Sequence, residues 1–242
     1  MIELTDRQKA LLKAIIEEYI ESAEPVGSEI IERKYDLGVS PATIRIEMGK
    51  LTEGGFLRQP HTSAGRVPTS MGFKLYVAEL MKERQLPVTA EVSIKESLWQ
   101  ERHRQERVLK EAVKALAKQC DMLGLAVDND GQVFYAGAAN ILDWPEFYDI
   151  DVARFVLSLF DEFPRLQDLI GRAHGSEPIH ILFGEDLEFE HFRSTGFVFT
   201  KFELDPAKDG IVGVIGPARM NFSLVLPYVK YVRDLIQQAA RT

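Results

Sequence analysis

Ser40-Pro41-Ala42-Thr43-Ile44-Arg45, followed by Gln59-Pro60-His61-Thr62-Ser63-Ala64-Gly65-Arg66-Val67-Pro68-Thr69, decides how this chain is read. Ser40 has a side-chain acceptor suited to capping a helix, and Pro41 takes the first helical position, where a missing amide costs nothing. Beyond the cap, Ile44, Met48 and Leu51 recur at i, i+4 and i+7 and are expected in a core, leaving Ala42, Thr43, Arg45, Ile46, Gly49 and Lys50 outside. Gly54-Gly55 ends this helix. Residues 56–59 and 66–69 suit the two short strands of a hairpin with a small, polar tip. A capped helix followed by an arginine-bearing hairpin is how a winged helix-turn-helix meets DNA.

Upstream, Thr5-Asp6-Arg7-Gln8 has the spacing of a capping box, and Leu12, Ile15, Ile16, Tyr19 and Ile20 form one apolar stripe at helical spacing. Pro25 and Gly27 break the chain. Ser28 is expected to cap a second short helix with Ile30, Ile31 and Tyr35 inward, and 36–39 is a turn. Downstream, Thr69 or Ser70 caps a further helix carrying Phe73, Val77 and Leu80.

Charge is distributed to match. The whole chain of 242 residues carries a net −8. Between residues 40 and 74, however, Arg45, Lys50, Arg58, Arg66 and Lys74 face only Glu47 and Glu53, a local +3 that leaves −11 for the remainder. Charges farther apart than about 10 Å are largely screened at ordinary salt, so a local basic face still attracts phosphate, with salt-sensitive affinity. Arg45 and Thr43 are the candidates for base edges, since arginine bonds guanine through O6 and N7. Ser40, Ala42, Ile46 and Lys50 complete the helix face. On the hairpin, Arg58 and Arg66 are the candidates for phosphate, His61 and Thr62 border the tip, and Ser63, Ala64 and Gly65 are small enough for backbone to approach DNA closely.

Pro87 marks the expected domain boundary. The pattern predicts a winged-helix domain at 1–86, a helical linker at 87–121 and an α+β domain at 122–242. Residues 90–123 look continuously helical, although 100–107 is polar all round and so solvated or bridging. Strands are expected at 123–127, 133–136, 179–183, 196–204 and 211–215, with Asp128-Asn129-Asp130-Gly131 as a turn between the first two. Helices are expected at 152–160, 166–172 and 221–240, to one side of antiparallel strands.

Other chemistry is argued against. Position one of a calcium loop ending its first half at Gly131 would be Ala126, which has no oxygen side chain. Gly210, Gly213 and Gly216 do not form a dinucleotide fingerprint and suit a hairpin bend. His61, His103, His174, His180 and His191 show no metal-ligand spacing, and no nucleophile–base arrangement or paired acid site is discernible, so neither cofactor, metal nor enzymatic activity is expected. Cys120, the single cysteine, sits in an apolar helical setting and reads as a buried small hydrophobe. The longest apolar runs, 122–127 and 211–215, are far shorter than a bilayer span and the amino terminus has no secretory segment, so a cytoplasmic location is expected.

The motif at 40–45, the tip at 59–69, Gly72-Phe73 and Tyr76-Val77 resemble the amino-terminal domain of the HrcA family, bacterial heat-inducible repressors of chaperone operons. The second half resembles it through Val133-Phe134-Tyr135-Ala136-Gly137, Asn140-Ile141-Leu142, Pro145-Glu146-Phe147 and Gly213-Val214-Ile215-Gly216-Pro217-Ala218-Arg219-Met220. The resemblance implies a winged helix, a GAF-like domain, a homodimer on an inverted-repeat operator, and a repressor sustained by the chaperonin GroEL. Two positions depart from the family pattern. Ile46 stands where a polar residue, commonly asparagine, is usual; it can touch a thymine methyl but cannot give adenine bidentate hydrogen bonds. Between the first two matching strands only residues 128–132 stand where the family carries further strands and a dimerising insertion, which makes the helix at 90–116 the candidate for the dimer contact.

Two other classes fit the residues: a winged-helix module that binds protein instead of specific DNA, and a GAF-type regulator answering to a metabolite. A heat response needs no dedicated sensor, because about 1 kcal/mol moves the midpoint of a domain this size by about 2–4 °C.

Overall fold

The structure, a computed structural model, describes residues 4–173, 177–187, 189–205 and 208–241. The chain divides into two compact units, Met1–Lys82 and Glu83–Thr242.

The N-terminal unit is built from α1 (Asp6–Ser22), α2 (Ser28–Lys34), α3 (Pro41–Glu53), a hairpin of β1 (Leu57–Arg58) and β2 (Val67–Pro68), and α4 (Ser70–Leu75), which runs on as a wider π turn over Tyr76–Leu80. The capping box at Thr5 forms: its hydroxyl accepts from the Gln8 amide, and Gln8 Oε1 accepts from the Thr5 amide at 3.0 Å. The inner face of α1 is Leu11, Leu12, Ile15 and Ile16, with Tyr19 and Ile20 half-buried. Glu18 is buried as well, which the apolar stripe did not predict, and Lys34 Nζ satisfies both its oxygens at 2.7 and 2.8 Å. Ser28 does not cap α2. Gly27 stands at the cap, with no side-chain hydrogen bond, and Ser28 is the buried first residue of the helix. Thr69 caps α4 by accepting from the Gly72 amide.

The C-terminal unit contains α5 (Val88–Gln100), α6 (Gln105–Cys120), β3 (Leu123–Val127), β4 (Val133–Ala136), α7 (Ile150–Asp161), α8 (Phe163–Gly171), β5 (His180–Phe183), β6 (Thr195–Asp205), β7 (Lys208–Pro217) and α9 (Phe222–Ala240). The five strands form one antiparallel sheet in the order β4-β3-β7-β6-β5. Asp128 closes the β3–β4 turn, its Oδ1 accepting from the amides of Asp130 and Gln132, and Gly131 supplies the positive φ of 80°.

Three expectations change here. Residues 90–123 are not one helix: the chain turns at 101–104, where the Arg104 amide reaches the Glu101 carbonyl at 2.8 Å. The reason is the polar stretch itself, which offers no apolar face for a continuous helix to bury. Nor does the helical linker expected at 87–121 stand apart from the domain that follows, because α6 buries Val108, Leu109, Ala112, Val113, Leu116, Ala117 and Cys120 within the C-terminal unit.

Helices also cover both faces of the sheet. On one face Leu123, Leu125, Phe197, Phe199 and Ile215 share a core with Val152, Val156 and Leu159 of α7 and Leu166 and Leu169 of α8. The alternate residues of the same strands face α6 and α9; at Gly124 an added Cβ would lie 2.3 Å from the Val113 carbonyl oxygen of α6. Two-sided cover explains why β3 is buried at every position instead of alternating.

Gly210, Gly213 and Gly216 lie inside β7, not at a bend. A Cβ at Gly210 would meet the Phe202 ring at 2.3 Å, at Gly213 the Val198 carbonyl oxygen at 2.1 Å, and at Gly216 the Met122 sulfur at 2.6 Å. The glycines thin the strand so that large neighbours can pass it.

Candidate nucleic-acid interface

Ser40 caps α3 as its sequence demands, accepting from the Thr43 amide at 3.3 Å, with the two hydroxyls 3.1 Å apart. Ile44, Met48 and Leu51 turn inward. Ala42, Arg45, Ile46 and Lys50 are exposed and Thr43 is half-buried, so the outward face is close to the one expected. Ile46 is 62% exposed, a large apolar side chain held in water on the helix that carries Arg45.

Glu47, a charged residue among the bases of this segment, is buried. Its oxygens accept from Lys50 Nζ at 3.1 Å, Arg7 at 3.2 Å and Gln8 Nε2 at 3.0 Å. The Lys50 hydrogen bond in particular holds the carboxyl below the ordinary carboxylate range, while burial pulls the other way; the Gln8 hydrogen bond and the Lys50 and Arg7 charges add to the lowering. Lys50 therefore pairs with Glu47 within its own helix, while its side chain stays 55% exposed.

The hairpin pairs Leu57 with Pro68 and Arg58 with Val67. It gains a third element that the sequence reading missed: Val26, in the break between α1 and α2, exchanges both backbone hydrogen bonds with Arg66 at 2.9 Å. An isolated apolar residue between Pro25 and Gly27 was the available signal. This bridge explains Gly65, where an added Cβ would sit 2.4 Å from the Val26 carbonyl oxygen. The glycine is required by a neighbouring backbone within the fold, whatever else approaches the tip.

Gln59 is the second residue missed. Its Nε2 donates to the carbonyls of Thr62 and Ala64 at 2.9 and 3.0 Å, clamping the tip from inside. His61 and Ser63 are exposed and joined by an Nδ1–Oγ contact of 3.2 Å, and Thr62 is exposed beside them. Arg66 is half-buried and donates through Nε to Thr52 Oγ1 at 3.1 Å. Arg45 and Arg58 are exposed and have no ion-pair partner among the described residues.

Helix and hairpin meet in a cleft of about 550 Å³, bordered by Arg45 and Met48 of α3, by Ser63, Gly65 and Arg66 of the tip, and by Gly27 at the start of α2. Elsewhere the geometry offers little chemistry. Among the described residues no three His, Cys, Asp or Glu side chains could share a metal ion; His174 lies outside those residues. His180 is buried and stacked on Phe199 at 5.1 Å, and burial lowers its pKa. No helix among the described residues is long and apolar enough to cross a membrane.

The architecture is that of a mixed helix-and-sheet protein whose fold is shared with a crystal structure described as a hypothetical protein, at a TM-score of 0.82 over 98% of this chain and 99% of that one and 18% identity. Residues 74–226 match the family model of the HrcA protein C terminal domain, and the chain belongs to the HrcA family. It is 26% identical to the heat-inducible transcription repressor HrcA of Acetivibrio thermocellus over 336 positions, covering 97% of this chain and 96% of that protein. The HrcA repressor of Ruminiclostridium cellulolyticum aligns at 27% over 338 positions, with 97% of each chain covered. An alignment of 336 positions fitted to 242 residues leaves roughly a hundred positions without a counterpart here, so this is a short member of the family.

Proposed function

We propose that this protein is a heat-inducible transcription repressor of heat-shock genes, with a winged helix-turn-helix at its N-terminus that holds operator DNA and a reduced GAF-like domain that controls it. The observation that carries this reading is the shared cleft: the exposed face of α3 and the hairpin tip border one concavity, with Arg45 on one side and Arg66 on the other. In a winged helix the third helix enters the major groove while the hairpin lies on flanking backbone. Arg45 and Thr43 then read base edges, Ile46 meets a thymine methyl, and Arg58 at the hairpin contacts phosphate. Arg66 and Lys50 contribute less, each being engaged within the unit.

Repression is steric. Two copies on an inverted repeat would set two α3 helices in successive major grooves, roughly 34 Å apart, and cover the promoter. The relatives' name supports the heat response; the chaperonin GroEL as a sustaining partner rests on the family resemblance alone. The task is binding, without catalysis or cofactor, in the cytoplasm where the operator is.

Selection of bound sequences from random duplexes, followed by salt titration of the winner and a scrambled control, tests the proposal. The expected result is an inverted-repeat preference with affinity falling steeply as salt rises. Absence of duplex binding at low salt overturns it.

A further inference from the structure

α5 buries Ile94 and Leu98 against the C-terminal unit, and Tyr231 of α9 donates its hydroxyl to the Glu91 carbonyl at 2.9 Å. Its opposite face is exposed, with only the Arg102 guanidinium shown over it, 5.5 Å from the centroid of the Trp99 ring. Val92, Lys95, Glu96 and Trp99 fall at i, i+3, i+4 and i+7, one side of a helix, with Val88 one turn before them. Val88 is 71% exposed, Val92 48% and Trp99 37%. Lys95 and Glu96 are exposed too, and neither has an ion-pair partner among the described residues. A helix with apolar side chains on both its faces has a second surface to bury.

We propose that this outer face of α5 is where two copies of the chain pair, antiparallel, about a two-fold axis passing between Lys95 and Glu96. The pairing rests on the two-copy part of the function proposed above and names the surface that carries it. The face is self-complementary, as an isologous contact requires. Val92 and Trp99 each lie about 5 Å along the helix from that axis, given the 1.5 Å rise per residue. The two-fold therefore sets Val92 against Trp99 of the second copy, and Trp99 against its Val92. The same operation sets Lys95 against Glu96 of the second copy, and Glu96 against its Lys95. A parallel pairing would oppose Lys95 to Lys95 and Glu96 to Glu96, so charge selects the antiparallel arrangement.

A 13-residue helix is about 20 Å long. A contact of that size lies below the roughly 1,200 Å² of standard interfaces and makes a weak dimer. Two half-sites on one duplex would strengthen it by holding both copies together.

Sedimentation of the full chain across a concentration series, without DNA, tests this. The wild type should show a monomer–dimer equilibrium. Lys95→Glu and Glu96→Lys should each weaken it by about tenfold or more, because each opposes like charges across the axis. The double reversal should restore it. Both side chains are exposed, so circular dichroism should be unchanged throughout. Orientation is read separately: chains with Val92→Cys mixed with chains with Trp99→Cys should form a disulfide, and Val92→Cys chains alone should not, the native Cys120 being buried. A monomer at every concentration overturns the proposal, as does a dimer indifferent to both single reversals, which assigns pairing to another face. Duplex binding, measured alongside, keeps the two readings apart. Monomers that bind DNA refute the α5 pairing alone, whereas a reversal-sensitive dimer that ignores DNA refutes the repressor reading alone.

Discussion

Arg219 Nε donates to Glu146 Oε1 at 2.6 Å, and a second guanidinium nitrogen reaches the other carboxylate oxygen at 3.3 Å. The two side chains are only 6% and 15% exposed, and the same guanidinium lies over the Trp144 ring, 5.2 Å from its centroid. This pair ties the segment after β4 to the connection between β7 and α9. Removing one partner of such a pair strands a charge out of water, which costs about 3–5 kcal/mol, whereas replacing both by apolar groups is often close to neutral. Arg219→Met should therefore lower the denaturation midpoint strongly, Glu146→Gln less, and Arg219→Met with Glu146→Leu should recover much of the loss. Urea unfolding followed by fluorescence measures all three; equal losses in the single and double variants would contradict the buried-pair account.

Glu47 makes an acid-side prediction for the N-terminal unit. Its carboxyl is held below its ordinary value, above all by the Lys50 hydrogen bond. The unfolded chain then binds more protons than the folded one as pH falls, so the contribution is complete above the ordinary carboxylate value, about 4.3, and is lost as pH falls through the lower folded-state value. Melting temperature recorded from about pH 7 down to about pH 3 should decline less steeply in Glu47→Gln than in the wild type. Parallel curves would show that Glu47 does not carry the linkage.

The cations of the candidate interface should separate in duplex binding. Arg58 is exposed with no ion-pair partner among the described residues and is expected on phosphate, so Arg58→Ala should weaken all sequences alike and reduce the salt slope by about one. Arg45→Ala should cost about 1–3 kcal/mol on the selected sequence and less on a scrambled one. Lys50 already pairs with Glu47, so Lys50→Ala should fall short of Arg58→Ala in binding while lowering stability. A Lys50 variant that loses as much affinity as the Arg58 variant without losing stability would refute this order.

How much of this was legible in the sequence depended on the range of the interactions. The caps at Thr5 and Ser40, the inward spacing of Ile44, Met48 and Leu51, and the turn at Asp128 are local, and short-range rules read them. The bridge between Val26 and Arg66 joins residues forty positions apart, and no local pattern announces it. Glu47 and Lys50 had visible i, i+3 spacing, but the burial of Glu47 depends on Arg7 and Gln8 arriving from α1. The same holds for the sheet. The one-sided cover expected for the strands gave way to helices on both faces, which bury β3 at every position, and the glycines of β7 make sense only beside Phe202, Val198 and Met122.

Cys120 supplies a check on the C-terminal unit. It is fully buried in α6, and burial, with Asp121 nearby, pushes its thiol up to about 12. Since the thiolate is the reactive form, an aromatic disulfide reagent at neutral pH should label the native protein only as fast as the unit opens, and should label it at once in denaturant. Rapid native labelling would mean that α6 does not pack as described.

Gly65 separates two accounts of the hairpin tip. If its smallness serves only the approach of DNA, Gly65→Ala should weaken duplex binding and leave the melting temperature alone. The structure places a Cβ at this position 2.4 Å from the Val26 carbonyl oxygen, so backbone would have to move. Overpacking of this kind costs about 1–3 kcal/mol. The loss should fall on the bridge between Val26 and Arg66, whose amides would exchange faster with solvent in the variant. Ala64→Gly is the control, since it shortens the neighbouring side chain without touching Val26. Gly65→Ala should therefore reduce stability and amide protection at 26 and 66, with weaker binding following from the displaced tip; a variant of unchanged stability that binds poorly would return the glycine to the interface alone.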